Sequence, residues 1–233
     1  MFSDVVLHSL DLMVSADRQL WSIVGLSLQV TLTAVVISCA IGLPLGALVG
    51  AFRFPGKSAA ILSLNAMMGL PPVVVGLGVY LVLSASGPFG ILQLLYTPAA
   101  MIIAQVVLVT PLVAALTRQI VEDLHGEYHE QFRSLGVGPV TRVQALLWDA
   151  RFSLMTVALA GFGRAIAEVG AVMIVGGNIN HVTRVMTTTI ALETSKGNLQ
   201  LALALGMILL MMALIVNALV MALRASAVRA AYA

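Results

Sequence analysis

Three groups of residues have types and spacings that suggest chemistry. The octet Ala51-Phe52-Arg53-Phe54-Pro55-Gly56-Lys57-Ser58 ends in the Gly-Lys-Ser of a phosphate-binding loop. Such a loop needs a glycine at its first position, a strand before it and a helix N-terminus that cradles phosphate. Ala51 holds the first position and a long apolar run precedes it, so the octet reads as a turn carrying basic residues at a membrane surface. His125, Glu127, His129 and Glu130 form the second group. H-x-E-x-H is not the zinc-protease spacing and Gly126 loosens the stretch, so no metal site is expected. The third group is Arg164 and Glu168, four residues apart and therefore on one helix face. Each costs about 2.5–3.5 kcal/mol at a bilayer centre, so both must face protein or water, and each is expected to face the other. Two roles stay open for them. One is an interspan ion pair that holds a bundle together, and the other is a positive potential from Arg164 along a pathway between the spans.

The elements that position these groups belong to a membrane. Of 233 residues, 60% are hydrophobic and only 9% charged, with mean hydropathy +1.04. A soluble domain carries about a quarter charged residues, so this chain is an integral membrane protein. A net charge of +2 gives no reason to invoke nucleic acid. The single Cys39 lies in an apolar run, which excludes a disulfide framework and a cysteine metal site. The first residues have no basic n-region and no small-residue cleavage pattern, so no removable signal is expected.

Apolar residues at Val5, Val6, Leu10 and Met13 repeat at helical spacing between Asp4, His8 and Asp11. That predicts an interfacial helix over Ser3–Val14, within an N-terminal extracytoplasmic segment 1–20. Trp21 follows as an aromatic anchor. A span needs about 20 apolar residues, and five stretches qualify: Trp21–Ala51, Ala59–Ser84, Leu92–Leu116, Phe152–Val175 and Leu199–Leu223. They form one all-α permease domain, 21–225, with a tail at 226–233. Arg53, Lys57, Arg118, Arg133, Arg142, Arg151, Arg224 and Arg229 fall on one side; Arg18, Arg184 and Lys196 fall on the other. The positive-inside rule then sets the N-terminus outside, the C-terminus inside and the 119–151 loop in the cytoplasm. Glycine and proline are dense in the spans, above all in Leu70-Pro71-Pro72-Val73-Val74-Val75-Gly76-Leu77, which predicts a bent helix along a pathway. Pro111 is expected to interrupt the third span.

The 119–151 loop is the one long charged interval. Val121, Leu124, Tyr128, Phe132 and Leu135 recur every three or four residues and predict one apolar stripe. Gly136 is a natural helix stop and Pro139 a natural helix start. Val143, Leu146 and Leu147 then form the inner face of a second helix. The pattern is a compact helical knob fitted to a partner's groove.

Glu130-Gln131-Phe132-Arg133-Ser134-Leu135-Gly136 places five residues between glutamate and glycine in the last cytoplasmic loop of a five-span chain. This resembles the EAA loop of ABC importer permeases, with Gln131 and Phe132 in place of the alanines. Leu146-Leu147-Trp148-Asp149 stands where that family has I-x-L-P. Phe162-Gly163-Arg164-Ala165-Ile166-Ala167-Glu168-Val169-Gly170-Ala171, with Gly176-Gly177-Asn178-Ile179, is similar to a span of the oxyanion permeases. The stretch from Val182 to Gly206 looks like the tungstate branch more than the molybdate branch.

The resemblance implies a type I importer permease in the cell membrane: two copies of this chain, two ABC ATPase subunits and an extracytoplasmic oxyanion-binding protein, with tungstate as cargo. Molybdate or sulfate is the alternative cargo. A secondary transporter driven by an ion gradient is the alternative class, against which stand the absence of an inverted repeat and the single large cytoplasmic knob. By resemblance Tyr128, Glu130, Phe132, Arg133, Ser134, Leu135 and Gly136 couple to the ATPase. The chain itself is then no enzyme and holds no cofactor, because ATP and Mg²⁺ sit in the partner. Asn180, Arg184 and Thr187 are candidate extracytoplasmic contacts, with a docking surface or plain loop as the other reading.

Overall fold

The computed structural model describes residues 18–232, and the interfacial helix expected at Ser3–Val14 lies outside the described residues. Those residues form helices joined by turns, with no strand among them. In chain order they are α1 (Arg18–Ala51), α2 (Lys57–Met68), α3 (Pro72–Leu83), a 3-10 turn at Gly90–Leu92, α4 (Pro98–Ser134), α5 (Pro139–Asp149), α6 (Arg151–Ile166), α7 (Gly170–Gly176), α8 (Met186–Ser195) and α9 (Leu199–Tyr232). Three helices are long and apolar enough to cross a membrane alone: α1, α4 and α9. The count reaches five when each of two bent pairs, α2 with α3 and α5 with α6, is taken as one span.

The bent pairs follow from backbone chemistry. Gly69 ends α2, and Pro71 and Pro72 lack the N–H groups that would continue it, so the chain restarts with Pro72 at the first position of α3. Twelve residues at 1.5 Å each give about 18 Å, too short for either helix to cross about 30 Å of hydrocarbon alone.

Three expectations need correction. The third span begins at Pro98 rather than Leu92, because Thr97 caps it, its hydroxyl accepting from the Ala100 N–H at 3.4 Å. Pro111 does not interrupt this helix, which continues to Ser134. A proline within a span is tolerated where packed protein covers the freed backbone, and Pro111 is buried. The fourth span is not continuous to Val175: it stops at Ile166, and only the seven-residue α7 follows.

Two compact units emerge. One holds residues up to Ala34, Pro71–Gln105 and Gly163–Val216; the other holds Val35–Leu70, Val106–Phe162 and residues from Asn217 on. In the first, α3 lies close against α7. A Cβ on Gly76 would sit 2.6 Å from the Ala171 Cα, and one on Gly170 would sit 2.9 Å from Val73 Cγ2. In the second, α1 presents Gly42, Gly46 and Gly50 to α4 at four-residue intervals. A Cβ at Gly42 would meet Val113 at 2.8 Å, one at Gly46 would meet Thr117 at 2.7 Å, and one at Gly50 would meet the Arg118 carbonyl oxygen at 2.8 Å. Small residues in this pattern let two backbones approach in a membrane, where lipid supplies no hydrophobic drive for association. Elsewhere the helices keep large apolar side chains outward, among them Val36, Leu62, Leu210, Leu214 and Met221. In water such surface would aggregate, and in lipid it is solvated.

Candidate functional site

The helical knob is built from the end of α4 and from α5. The segment from Glu130 to Ser134 is the last part of α4 rather than a free helix, because α4 runs for 37 residues, about 55 Å, and outlasts the hydrocarbon. Its end is a Schellman turn. Gly136 takes φ +62°, Gly136 N donates to Arg133 O at 3.3 Å, and Val137 N donates to Phe132 O at 3.1 Å. Gly138 and Pro139 then open α5. Ala47, Ala51, Val121 and Leu146 are buried together, and Phe52, Leu124, Tyr128, Phe132, Val143 and Leu147 pack around them.

Polar clasps close this hairpin. The Tyr128 hydroxyl donates to Asp149 Oδ2 at 2.7 Å, and the Arg142 guanidinium lies 5.8 Å over the Phe132 ring, which meets the Tyr128 ring edge to face. At the 73° bend into α6, Arg151 donates to the Trp148 carbonyl at 2.7 Å and stacks on both Trp148 and Phe152. The knob is therefore tied to the helix that leaves it.

The coupling candidates divide by environment. Tyr128 and Phe132 are half-buried and hold the hairpin together. Glu130, Arg133, Ser134 and Gly136 are exposed. Leu135 departs from the expected inner stripe: it is 76% exposed, because the chain leaves the helical path at the turn. Val140 and Trp148 are equally outward, at 68% and 69%. Leu135, Val140 and Trp148 give the knob an apolar outer surface that periodicity alone missed. Proximity to the Gly136 turn and to the Ala150 bend was the available signal.

In the other unit, Glu168 sits between α6 and α7 and is almost wholly buried. Arg164 Nη1 pairs with its Oε2 at 3.3 Å, Ala171 N donates to its Oε1 at 3.1 Å, and the Thr187 hydroxyl donates to its backbone oxygen at 2.8 Å. Gln105 Nε2 donates to Ala165 O at 3.0 Å, next to the break. The ion pair thus bridges a break inside one expected span and is not an interspan pair. What ties the break to other helices is the pair of bonds from Gln105 and Thr187. Ser27, Thr31, Gln105, Glu168 and Thr187 surround a cavity of about 10 Å³. That holds one water at most, so a tetrahedral oxyanion has no room there in this conformation. Arg164, by contrast, keeps 35% of its side chain exposed.

Of the three candidate extracytoplasmic contacts, Thr187 departs from its expected role. Thr187 is buried in the Glu168 knot, and Thr188 and Thr189 are buried too, bonded to Val185 O, with Asn178 also bonded to Thr188. These hydroxyls face inward because the backbone at Val185 and the break need partners. Asn180 is exposed, and with Arg184 and His181 it lines a separate cavity of about 130 Å³. No group of three or more metal-ligating side chains occurs among the described residues.

Residues 42–229 match the family described as binding-protein-dependent transport system inner membrane component. The chain is 42% identical to the tungstate uptake system permease protein TupB of Peptoclostridium acidaminophilum, over 93% of this chain and 95% of that protein. It is also 42% identical to a probable anion ABC transporter permease protein of Haloferax volcanii, over 85% and 88% of the two chains. Against TupB of Campylobacter jejuni the identity is 35%, over 90% and 88%.

Proposed function

The chain belongs to the family of binding-protein-dependent transport system inner membrane components, and from that premise we propose that it is the permease of an ATP-driven importer of tungstate. The observation that carries the coupling role is the clasped hairpin with Leu135, Val140 and Trp148 on its outside. Apolar side chains at a tip bounded by charged residues need a groove to enter, and an ATPase subunit supplies one. Closure of two ATPase subunits around ATP would displace the two hairpins of a homodimer, and the Arg151 clasp would carry the displacement into α6. ATP and Mg²⁺ are bound by the partner, and this chain contributes no nucleotide site. Residues 21–225 act as the membrane domain of a protein of the cytoplasmic membrane, flanked by the segments 1–20 and 226–233.

Tungstate as cargo is supported by the high identity to two permeases named for its uptake. A binding protein on the outer face delivers the anion, and the exposed Asn180 and the half-buried Arg184 are the side chains offered to it. The test is reconstitution of permease, ATPase and binding protein in proteoliposomes. ATP hydrolysis should rise several-fold when tungstate-loaded binding protein is added, and tungstate should accumulate inside. Hydrolysis that ignores the loaded binding protein would overturn the importer reading, and stimulation by sulfate alone would overturn the cargo.

A further inference from the structure

The basic turn between α1 and α2 has a use that the coupling hairpin does not absorb. Gly50, Arg53, Lys57, Glu122, His125 and His129 are among the residues that line a cavity of about 160 Å³, between the end of α1, the start of α2 and one face of α4. Lys57 Nζ donates to the Gly50 carbonyl at 3.3 Å and pairs with Glu122 at 3.0 Å, and Arg118 pairs with the same carboxylate. Two cations therefore share one anion. Arg53 makes no ion pair among the described residues, and Asp123 and Glu127 do not line the cavity. His125 Nδ1, on the cavity wall, is buried with no hydrogen-bond partner among the described residues, and so is the Nε of Arg118, the second cation on Glu122. Lys57 also starts α2, whose first turn has no acidic residue, so the positive end of the helix adds to the same potential.

Such a cavity selects an anion, and its surroundings select the kind. Its volume equals that of about five waters, enough for a phosphate group. It opens where the apolar run of α1 ends. Leu45 and Leu48 of α1 and Phe54 of the turn are exposed, and α2 buries none of its residues, with Leu62 70% exposed. Cations at the end of a span, beside uncovered apolar helix surface, suit a headgroup that carries acyl chains. We propose that this cavity binds the phosphodiester headgroup of an anionic phospholipid, with Arg53 and Lys57 on the phosphate and the acyl chains along α1 and α2. The proposal rests on α1 being a membrane span and not on the identity of the cargo.

The test uses the full importer complex, purified and presented with phosphatidylglycerol and phosphatidylcholine in equal amounts, with retained lipid read by native mass spectrometry. Phosphatidylglycerol should be retained in preference. The Arg53→Gln/Lys57→Gln double variant should lower its retention by about 30-fold, from the usual attraction of two basic groups to anionic lipid. Glu122→Gln should raise it, because the carboxylate that competes for Lys57 is gone; a purely structural role for Glu122 predicts no gain. Arg18→Gln, at the exposed first residue of α1, should change nothing. Equal retention of the two lipids, or a double variant that binds like wild type, would overturn the proposal. So would inorganic phosphate that binds without any preference for phosphatidylglycerol. Retention by the ATPase-free permease but not by the complex would assign the cavity to an acidic side chain of the ATPase, and would overturn it equally.

Discussion

Both carboxylate oxygens of Glu168 are committed, one to Arg164 and one to the Ala171 N–H, whereas Arg164 keeps an outward fraction free for a second anion. The pair can therefore be structural, while Arg164 alone could serve the cargo. Removing one partner would leave a buried charge uncompensated, at a cost of about 3–5 kcal/mol, and the loss of assembly would hide any transport role. The Arg164→Gln/Glu168→Gln double variant avoids this, because two neutral amides keep the shape and the hydrogen bond to Ala171. It should assemble with its ATPase as wild type does yet import tungstate at least about tenfold more slowly, the scale of losing one charge-assisted bond. Wild-type import would mean that the pair only holds the break closed. Glu193 gives a second test at this scale. The hydrogen bond from Lys196 holds its carboxyl below the ordinary value of 4.5, helped by a bond from Asn198 and opposed by burial. A lowered folded-state pKa stabilises the protein above the unfolded value and loses that contribution as pH falls through the folded one. The melting temperature of wild type should thus exceed that of Glu193→Gln at pH 7, and the gap should close below about pH 4. A gap that does not depend on pH would remove the carboxylate from the account.

Among the elements, the hairpin was the most legible, because its signals are local. Gly136 stops α4 by adopting φ +62°, and Pro139 starts α5, each through the backbone alone. The break at Gly69–Pro71 was legible for the same reason. The break after Ile166 was not, since Ala167-Glu168-Val169 contains neither glycine nor proline. It exists through bonds from Gln105 and Thr187, 60 and 19 residues distant from their acceptors, which no local pattern encodes. Pro111 erred in the opposite direction, with a local breaker overruled by packing. Periodicity also placed Leu135 inward, because it assumes that a helix continues where the turn has already bent the chain. That correction yields a prediction for the element. Leu135→Asp and Val140→Asp alter only outward side chains, so both proteins should insert and fold normally. ATPase hydrolysis stimulated by the binding protein should drop about 30-fold or more if these residues are anchors in a groove, the scale of an interface hot spot of about 2 kcal/mol. Phe132→Ala should act by another route, loosening the hairpin core and lowering its thermal stability as well. Full stimulation in both outward variants would leave the apolar tip without a coupling role.

At the scale of the whole molecule, what the chain can do depends on which side of the membrane each surface meets. The cations at Arg53, Lys57, Arg118, Arg133, Arg142 and Arg151 outnumber those at Arg18, Arg184 and Lys196, and the positive-inside rule assigns the larger set to the cytoplasm. Three helices cross by length and composition alone, and the count of five takes α5 with α6 as one bent span; with α5 in the proposed hairpin instead, the fourth crossing falls to α6 and α7. Their lengths, 16 and 7 residues, sum to about 35 Å, sufficient for the hydrocarbon only if both contribute. Cysteine labelling decides the matter, because the chain has one native cysteine, Cys39 in α1. On a Cys39→Ser background, Leu135→Cys should react with a membrane-impermeant maleimide only in inside-out vesicles, and Asn180→Cys only in intact cells or spheroplasts. Both positions are exposed, so a failure to react reports sidedness rather than burial. Reaction of both from one side would mean that α6 and α7 enter and return without crossing. The hairpin and the Asn180–Arg184 surface would then share a compartment, and no route from a binding protein outside to an ATPase inside could pass through them.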